Sequence, residues 1–214
     1  MTALASAWRA WRSYAGAPVG VRAFLVARLM NAPLAGLDPE LRALRGRVLS
    51  LGSGHGLLER YLAEVNPDVV VVGLELDAER VAIANRTAPA GSRVNLRCAD
   101  VREFDGAARY DAVMAVDVMH HIPCDDHAGI AEALARCMRP GGVCLIKDIA
   151  DRPVWKYRFN ALHDRLVTGD EVYCRSPESM AGVFEAAGLR VRDVRRLGPM
   201  SPYPHYLAVL EQPA

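Results

Sequence analysis

Residues 117–127 (DVMHHIPCDDH) gather three histidines, three aspartates and a cysteine into eleven positions. Imidazole titrates near neutrality, so a histidine here can take a proton from a hydroxyl or phenol at physiological pH. Asp117, His120 and His121 are the candidates for that work, because they directly follow the apolar run 111–116 (DAVMAV), whose end would border a pocket. Neighbouring residues at a loop or helix start face different ways, so one histidine is expected in a site. His120 is read as the functional one, His121 as capping or packing. The same cluster invites a divalent cation, but imidazole in place of carboxylate suits magnesium poorly and the ligand set is incomplete. No metal is expected, and Asp125-Asp126 more simply caps the helix that follows.

A second stretch, 48–62 (VLSLGSGHGLLERYL), places Gly52, Gly54 and Gly56 at alternate positions between an apolar run and a helical pattern. Glycine inside regular structure costs stability, so the cluster implies a nucleotide-like ligand lying closely against the backbone. The following helix N-terminus favours polar or negative groups. The next apolar run, 69–74 (VVVVGL), ends at Glu75, whose carboxylate can accept both hydroxyls of a ribose. A dinucleotide fingerprint would place a third glycine or an alanine at the position of Leu57, to pack the helix beside a pyrophosphate. Leu57 argues against it.

These residues need a scaffold, and the pattern supplies one. Strands are expected at 48–51, 69–74, 94–97, 111–116 and 143–147, alternating with helices at 57–65, 77–86 and 126–138. Pro140-Gly141-Gly142 reads as the turn into the fifth strand. Such alternation implies a parallel sheet with right-handed crossovers. Ser176-Pro177 starts a helix that Gly188 ends, and strands at 189–197 and 205–210 follow as an antiparallel hairpin. Ahead of all this, helices are expected at 4–15, with Leu4, Trp8, Trp11 and Ala15 on one stripe, and at 21–30. Asp38-Pro39-Glu40 reads as an N-cap with proline at the first helical position.

The glycine spacing, with the segments that follow it, resembles class I S-adenosylmethionine-dependent methyltransferases over roughly 48–210. Glu75 in VVGLELDAERVAIA matches that family's ribose-binding acid, with Leu76 beside it, and Asp100 in CADV matches the acid that contacts the adenine amino group, with Val101 next to it. YDAVMAVDVMHHIP (110–123) and LARCMRPGGVCLIKD (134–148) resemble its fourth-strand and fifth-strand segments. AAGLRVRDV and the terminal hairpin fit its last two strands. DxxHHIP also resembles the ExxEHVP of ubiquinone-type O-methyltransferases.

The resemblance implies a Rossmann-like, doubly wound α/β sheet of seven strands, mostly parallel with an antiparallel last strand. It implies S-adenosylmethionine as cofactor, S-adenosylhomocysteine as product, and Ser50, Gly52, Ser53, Gly54, Gly56 and Asp117 among the residues that bind it. Where that family usually carries Asp or Glu to help hold the cofactor's amino group, this chain has Ser50; a hydroxyl can accept that hydrogen bond at a loss of about 1 kcal/mol. Residues 152–175 correspond to the segment that commonly covers the substrate, making Trp155, Tyr157, Phe159 and His163 the expected acceptor wall; an amphipathic helix with its aromatics in the core is the alternative. Methyl transfer to a small aromatic or lipid-like molecule follows, on oxygen if the histidines act. Transfer to nitrogen or carbon, or a non-catalytic cofactor-binding module, are the rivals.

Organisation follows from size. At 214 residues the chain has room for one generous domain, read as a methyltransferase domain over 46–214 behind a helical extension over 1–45. A net charge of +1 gives no global field for nucleic acid. The extension carries Arg9, Arg12, Arg22 and Arg28 with no acid before residue 38, so it is read as a lid or a peripheral membrane contact. Five cysteines without a CxxC pair indicate free thiols in a reducing compartment, hence the cytoplasm. A monomer or homodimer is expected.

Overall fold

Long β-branched runs need cover on both faces, and the strands Gly46–Leu51, Val69–Glu75, Tyr110–Val116 and His205–Glu211 are mostly buried, whereas Val94–Cys98 and Arg190–Arg196 are largely exposed or half-buried. The computed structural model describes residues 2–31, 34–167, 172–198 and 201–214. Two compact units divide it, Met1–Phe104 and Asp105–Ala214.

The first unit runs α1 (Ala3–Arg12), α2 (Val19–Asn31), α3 (Leu34–Ala43), β1 (Gly46–Leu51), α4 (Leu57–Val65), β2 (Val69–Glu75), α5 (Ala78–Arg86) and β3 (Val94–Cys98). Its strands are ordered β3-β2-β1, all parallel. Val48, Leu49, Val71 and Leu74 are fully buried. The helical extension belongs to this unit, with α1 packed on α4.

The second unit runs β4 (Tyr110–Val116), α6 (His127–Cys137), β5 (Met138–Ile149), α7 (Val154–Val167), α8 (Pro177–Ala186), β6 (Arg190–Arg196) and β7 (His205–Glu211). Its order is β4-β5-β7-β6, with β4 and β5 parallel and β7 antiparallel to both its neighbours. The seven-stranded, mostly parallel α/β sheet is the expected class, and its reversed strand is the last one.

Three local expectations are corrected. Pro39 lies inside α3, which already begins at Leu34, because Leu37 and Leu41 one turn apart are both buried. Asp38 caps nothing: its carboxylate accepts the Tyr61 hydroxyl and the Arg42 guanidinium, the latter at 2.8 Å. Strand β5 starts at Met138, five residues earlier than expected. Pro140-Gly141-Gly142 is an irregularity within it, pinned by Gly141 N–H to Gln212 O and Gln212 N–H to Gly142 O, both at 2.9 Å. Asp126 takes the N-cap place of α6 in a helical conformation, which turns its side chain away from any capping bond.

On α1 the stripe of large side chains is not the docked face. Leu4 and Trp8 are exposed, whereas Ala7, Ala10 and Tyr14 are buried. Small residues let the two helices approach closely, and that outweighs apolar bulk. The predicted end of the second helix holds at Asn31; Ala32 and Pro33 lie outside the described residues.

Candidate functional site

In the first unit, β1 breaks at Leu51 and the chain passes through Gly52, Gly54 and Gly56 at φ of 65°, 54° and 79°. All three occupy the left-handed region that a side chain strains to adopt, which accounts for the alternate spacing. A Cβ at Gly54 would meet nothing within 4 Å, so the backbone there borders open space. Ser53 is held by its N–H to Leu74 O at 3.1 Å. Gly73 on β2 must lack a side chain for the same reason: a Cβ there would fall 2.3 Å from Ser53 Oγ.

Glu75 closes the arrangement from the neighbouring strand. Its Oε2 accepts Gly54 N–H at 2.7 Å, and its Oε1 accepts Leu76 N–H at 2.9 Å and Asp77 N–H at 3.1 Å. The carboxylate thus ties loop to strand and retains about one of its four lone-pair positions for a ligand. Leu76 beside it is exposed, while Val101 is buried. Asp100 is engaged by the Arg102 guanidinium through both oxygens, Nε to Oδ1 at 3.1 Å and Nη2 to Oδ2 at 2.6 Å, which holds its carboxyl below the ordinary range. Ser50 is buried and donates to Glu59 Oε1 at 2.6 Å.

Sequence reasoning missed what stands behind this loop. The buried Tyr14 hydroxyl, just past the end of α1, donates to His55 O at 2.5 Å. The Arg60 guanidinium lies 3.8 Å from the Tyr14 ring centroid and donates to Ser13, Ala84 and Thr87. No pattern in the sequence links position 14 to position 55. Tyr14→Phe removes one short bond and is expected to cost about 1 kcal/mol or slightly more. A drop in the thermal midpoint with at most about a fivefold loss of ligand affinity will show it.

In the second unit, Asp117 follows β4 at a φ of 54°, a left-handed conformation that few non-glycine residues adopt. It accepts the ammonium of Lys147, which is buried at the end of β5. Lys147 Nζ also donates to His205 Nδ1 at 2.9 Å. His120 is buried, and its Nδ1 pairs with Asp148 Oδ1 while its backbone N–H reaches Asp148 Oδ2 at 3.1 Å. Ile149 N–H adds a third bond to that carboxylate at 2.7 Å. His121 is half-buried with its ring 4.1 Å from that of His120. His127 is structural: Nε2 bonds Met119 O and Ile122 O, and Nδ1 accepts Arg175. Among the described residues no group of three or more His, Cys, Asp or Glu is placed to hold a metal.

Helix α7 carries the expected acceptor wall. Trp155 and Phe159 are exposed and Tyr157 is half-buried; the side chain of His163 lies outside the described residues. Phe159 stacks near Tyr203 at 5.7 Å, and Tyr203 near His205 at 5.6 Å. Those rings lead from α7 to the Lys147 cluster, and Tyr203, Lys147, Asp148 and His205 were not anticipated.

Residues 24–194 match the family model described as a methyltransferase domain. A trans-aconitate 2-methyltransferase of Azoarcus sp. (strain BH72) is 37% identical over 100 residues, 47% of this chain and 38% of its own length. A 27-O-demethylrifamycin SV methyltransferase of Amycolatopsis mediterranei (strain S699) is 32% identical over 165 residues, 75% of this chain and 49% of its own length. The chain spans less than half the length of either. An S-adenosylmethionine-dependent methyltransferase structure from Mesorhizobium loti superimposes with a TM-score of 0.68 at 17% identity, covering 86% of this chain and 100% of that one, and so shares its fold. No described helix is long and apolar enough to cross a membrane.

Proposed function

The chain belongs to the methyltransferase domain family, in its class I S-adenosylmethionine-dependent type, and on that premise we propose that it methylates an oxygen of a small aromatic or lipid-like acceptor. The first unit fits the donor. Three left-handed glycines, open space at Gly54, a carboxylate with acceptor capacity at Glu75 and the exposed apolar Leu76 together suit an adenosyl group. When bound, that donor supplies an electrophilic methyl on a sulfonium.

One observation carries the oxygen assignment, the buried His120–Asp148 pair. With Nδ1–H given to the carboxylate, the imidazole lone pair lies on Nε2, a tautomer set by the hydrogen-bond network. Nε2 takes the proton of an acceptor hydroxyl as its oxygen gains nucleophilicity, and Asp148 supports the charge that develops on the ring. Asp148 is a positioning residue here. The rings of Phe159 and Tyr203 offer an acceptor apolar and stacking surface. The relative named for 27-O-demethylrifamycin SV gives further support, since its name places the methyl on oxygen.

The test is transfer of an isotopically labelled methyl from S-adenosylmethionine to a panel of phenols, alcohols, carboxylates and amines. A labelled methoxy product is the expected result. Products methylated only on nitrogen or carbon overturn the oxygen assignment, and no transfer despite firm S-adenosylhomocysteine binding overturns catalysis.

A further inference from the structure

A buried carboxylate in the first unit has a job that nothing above uses. Glu59 sits in the first turn of α4, three residues past Gly56, and is 1% exposed. Its Oε1 accepts the Ser50 hydroxyl at 2.6 Å, while its Oε2 is buried with no hydrogen-bond partner. An orphaned carboxylate oxygen in such a place is costly unless a cation or donor reaches it. The neighbouring Arg60 does not serve: its guanidinium donates to Ser13, Ala84 and Thr87. Burial pushes the Glu59 carboxyl upward from its ordinary range, outweighing the opposing pull of the Ser50 hydroxyl, the Arg28 charge and the Ser53 hydroxyl.

The donor has the missing cation. At its methionyl end it carries an ammonium with three N–H donors. We propose that Glu59, rather than Ser50, supplies the carboxylate that holds this ammonium, with the Ser50 hydroxyl steering it as a hydrogen-bond donor. The inference rests on the donor reading given above. Ser50, near the end of β1, acts through Glu59: its one proton is directed at Oε1, which orients the carboxylate, and a neutral hydroxyl lacks the charge to match an ammonium. The terminal torsion of a glutamate is broad, so the carboxylate can turn Oε2 toward a cation while Oε1 keeps its bond to Ser50.

Calorimetry on the full chain with two ligands separates this role from a general one. S-adenosylhomocysteine carries the ammonium, and 5′-methylthioadenosine lacks the whole amino-acid end. Glu59→Gln is expected to raise the S-adenosylhomocysteine Kd tenfold or more and to leave the 5′-methylthioadenosine Kd within twofold. Equal weakening of both ligands, or an unchanged S-adenosylhomocysteine Kd, overturns the assignment. Failure of both ligands to bind the unaltered chain overturns the donor reading, and this inference with it. If circular dichroism shows Glu59→Gln unfolded, Glu59→Asp is read in the same two-ligand comparison: the charge is kept but withdrawn, and the selective loss for S-adenosylhomocysteine must persist at reduced size.

Discussion

Glu75→Ala is expected to raise the S-adenosylhomocysteine dissociation constant about a hundredfold or more. The side chain accepts three backbone N–H groups, from Gly54, Leu76 and Asp77. Hydrogen bonds to a charged group are worth about 1.5–3 kcal/mol each, and some 2.7 kcal/mol of lost loop order already corresponds to two decades of affinity. Glu75→Gln keeps the shape but turns one acceptor into a donor facing an N–H, so it should fare little better. Titration calorimetry well below the variant's own melting temperature is the measurement. A Kd within twofold of the parent for both variants would show that the loop holds its form without that carboxylate, and that the donor lies elsewhere.

His120→Asn should slow methyl transfer by about 10²- to 10⁴-fold, the range typical of a lost general base. Asparagine is preferred to alanine because its amide can still donate toward Asp148, avoiding an unpaired buried carboxylate. Asp148→Asn should slow transfer about tenfold or more. The double variant should be no slower than His120→Asn alone, since two groups acting as one unit do not add. S-adenosylhomocysteine affinity should stay within twofold throughout. Additive losses, or turnover unaffected by His120→Asn, would remove the histidine from the chemistry.

How much of this was legible differs by element. The central strands were readable because short apolar runs, most clearly the β-branched 69–74, have few alternatives when buried on both faces, and the helix 57–65 was readable from its glycine punctuation and apolar period. The three alternate glycines marked a loop whose backbone a ligand can approach; that all three adopt positive φ came from the structure. The Pro39 helix was misread because burying Leu37 and Leu41 outweighs a missing N–H. The partners of the site residues could not be read at all. Ser50 and Glu59 are nine positions apart, Tyr14 and His55 forty-one, and Lys147 and His205 fifty-eight. Each pairing depends on register and helix docking, which leave no periodic trace. The face of α1 was hidden for a related reason: alanine makes a good contact surface but a faint signal.

The reversed direction of β7 has an outcome for the order of assembly. His205 is the first residue of that strand and stands across from Ile149, beside the Lys147 ammonium that it receives. Strand β6 has β7 for its partner within the unit, although it precedes it in the chain. A nascent polypeptide halted before residue 205 therefore holds a lysine amid apolar strands without its His205 contact, and a sixth strand with no ladder to join. The second unit is expected to stay open to proteases until β7 slides in, making a late, long-range and slow closure the event that completes the folded chain.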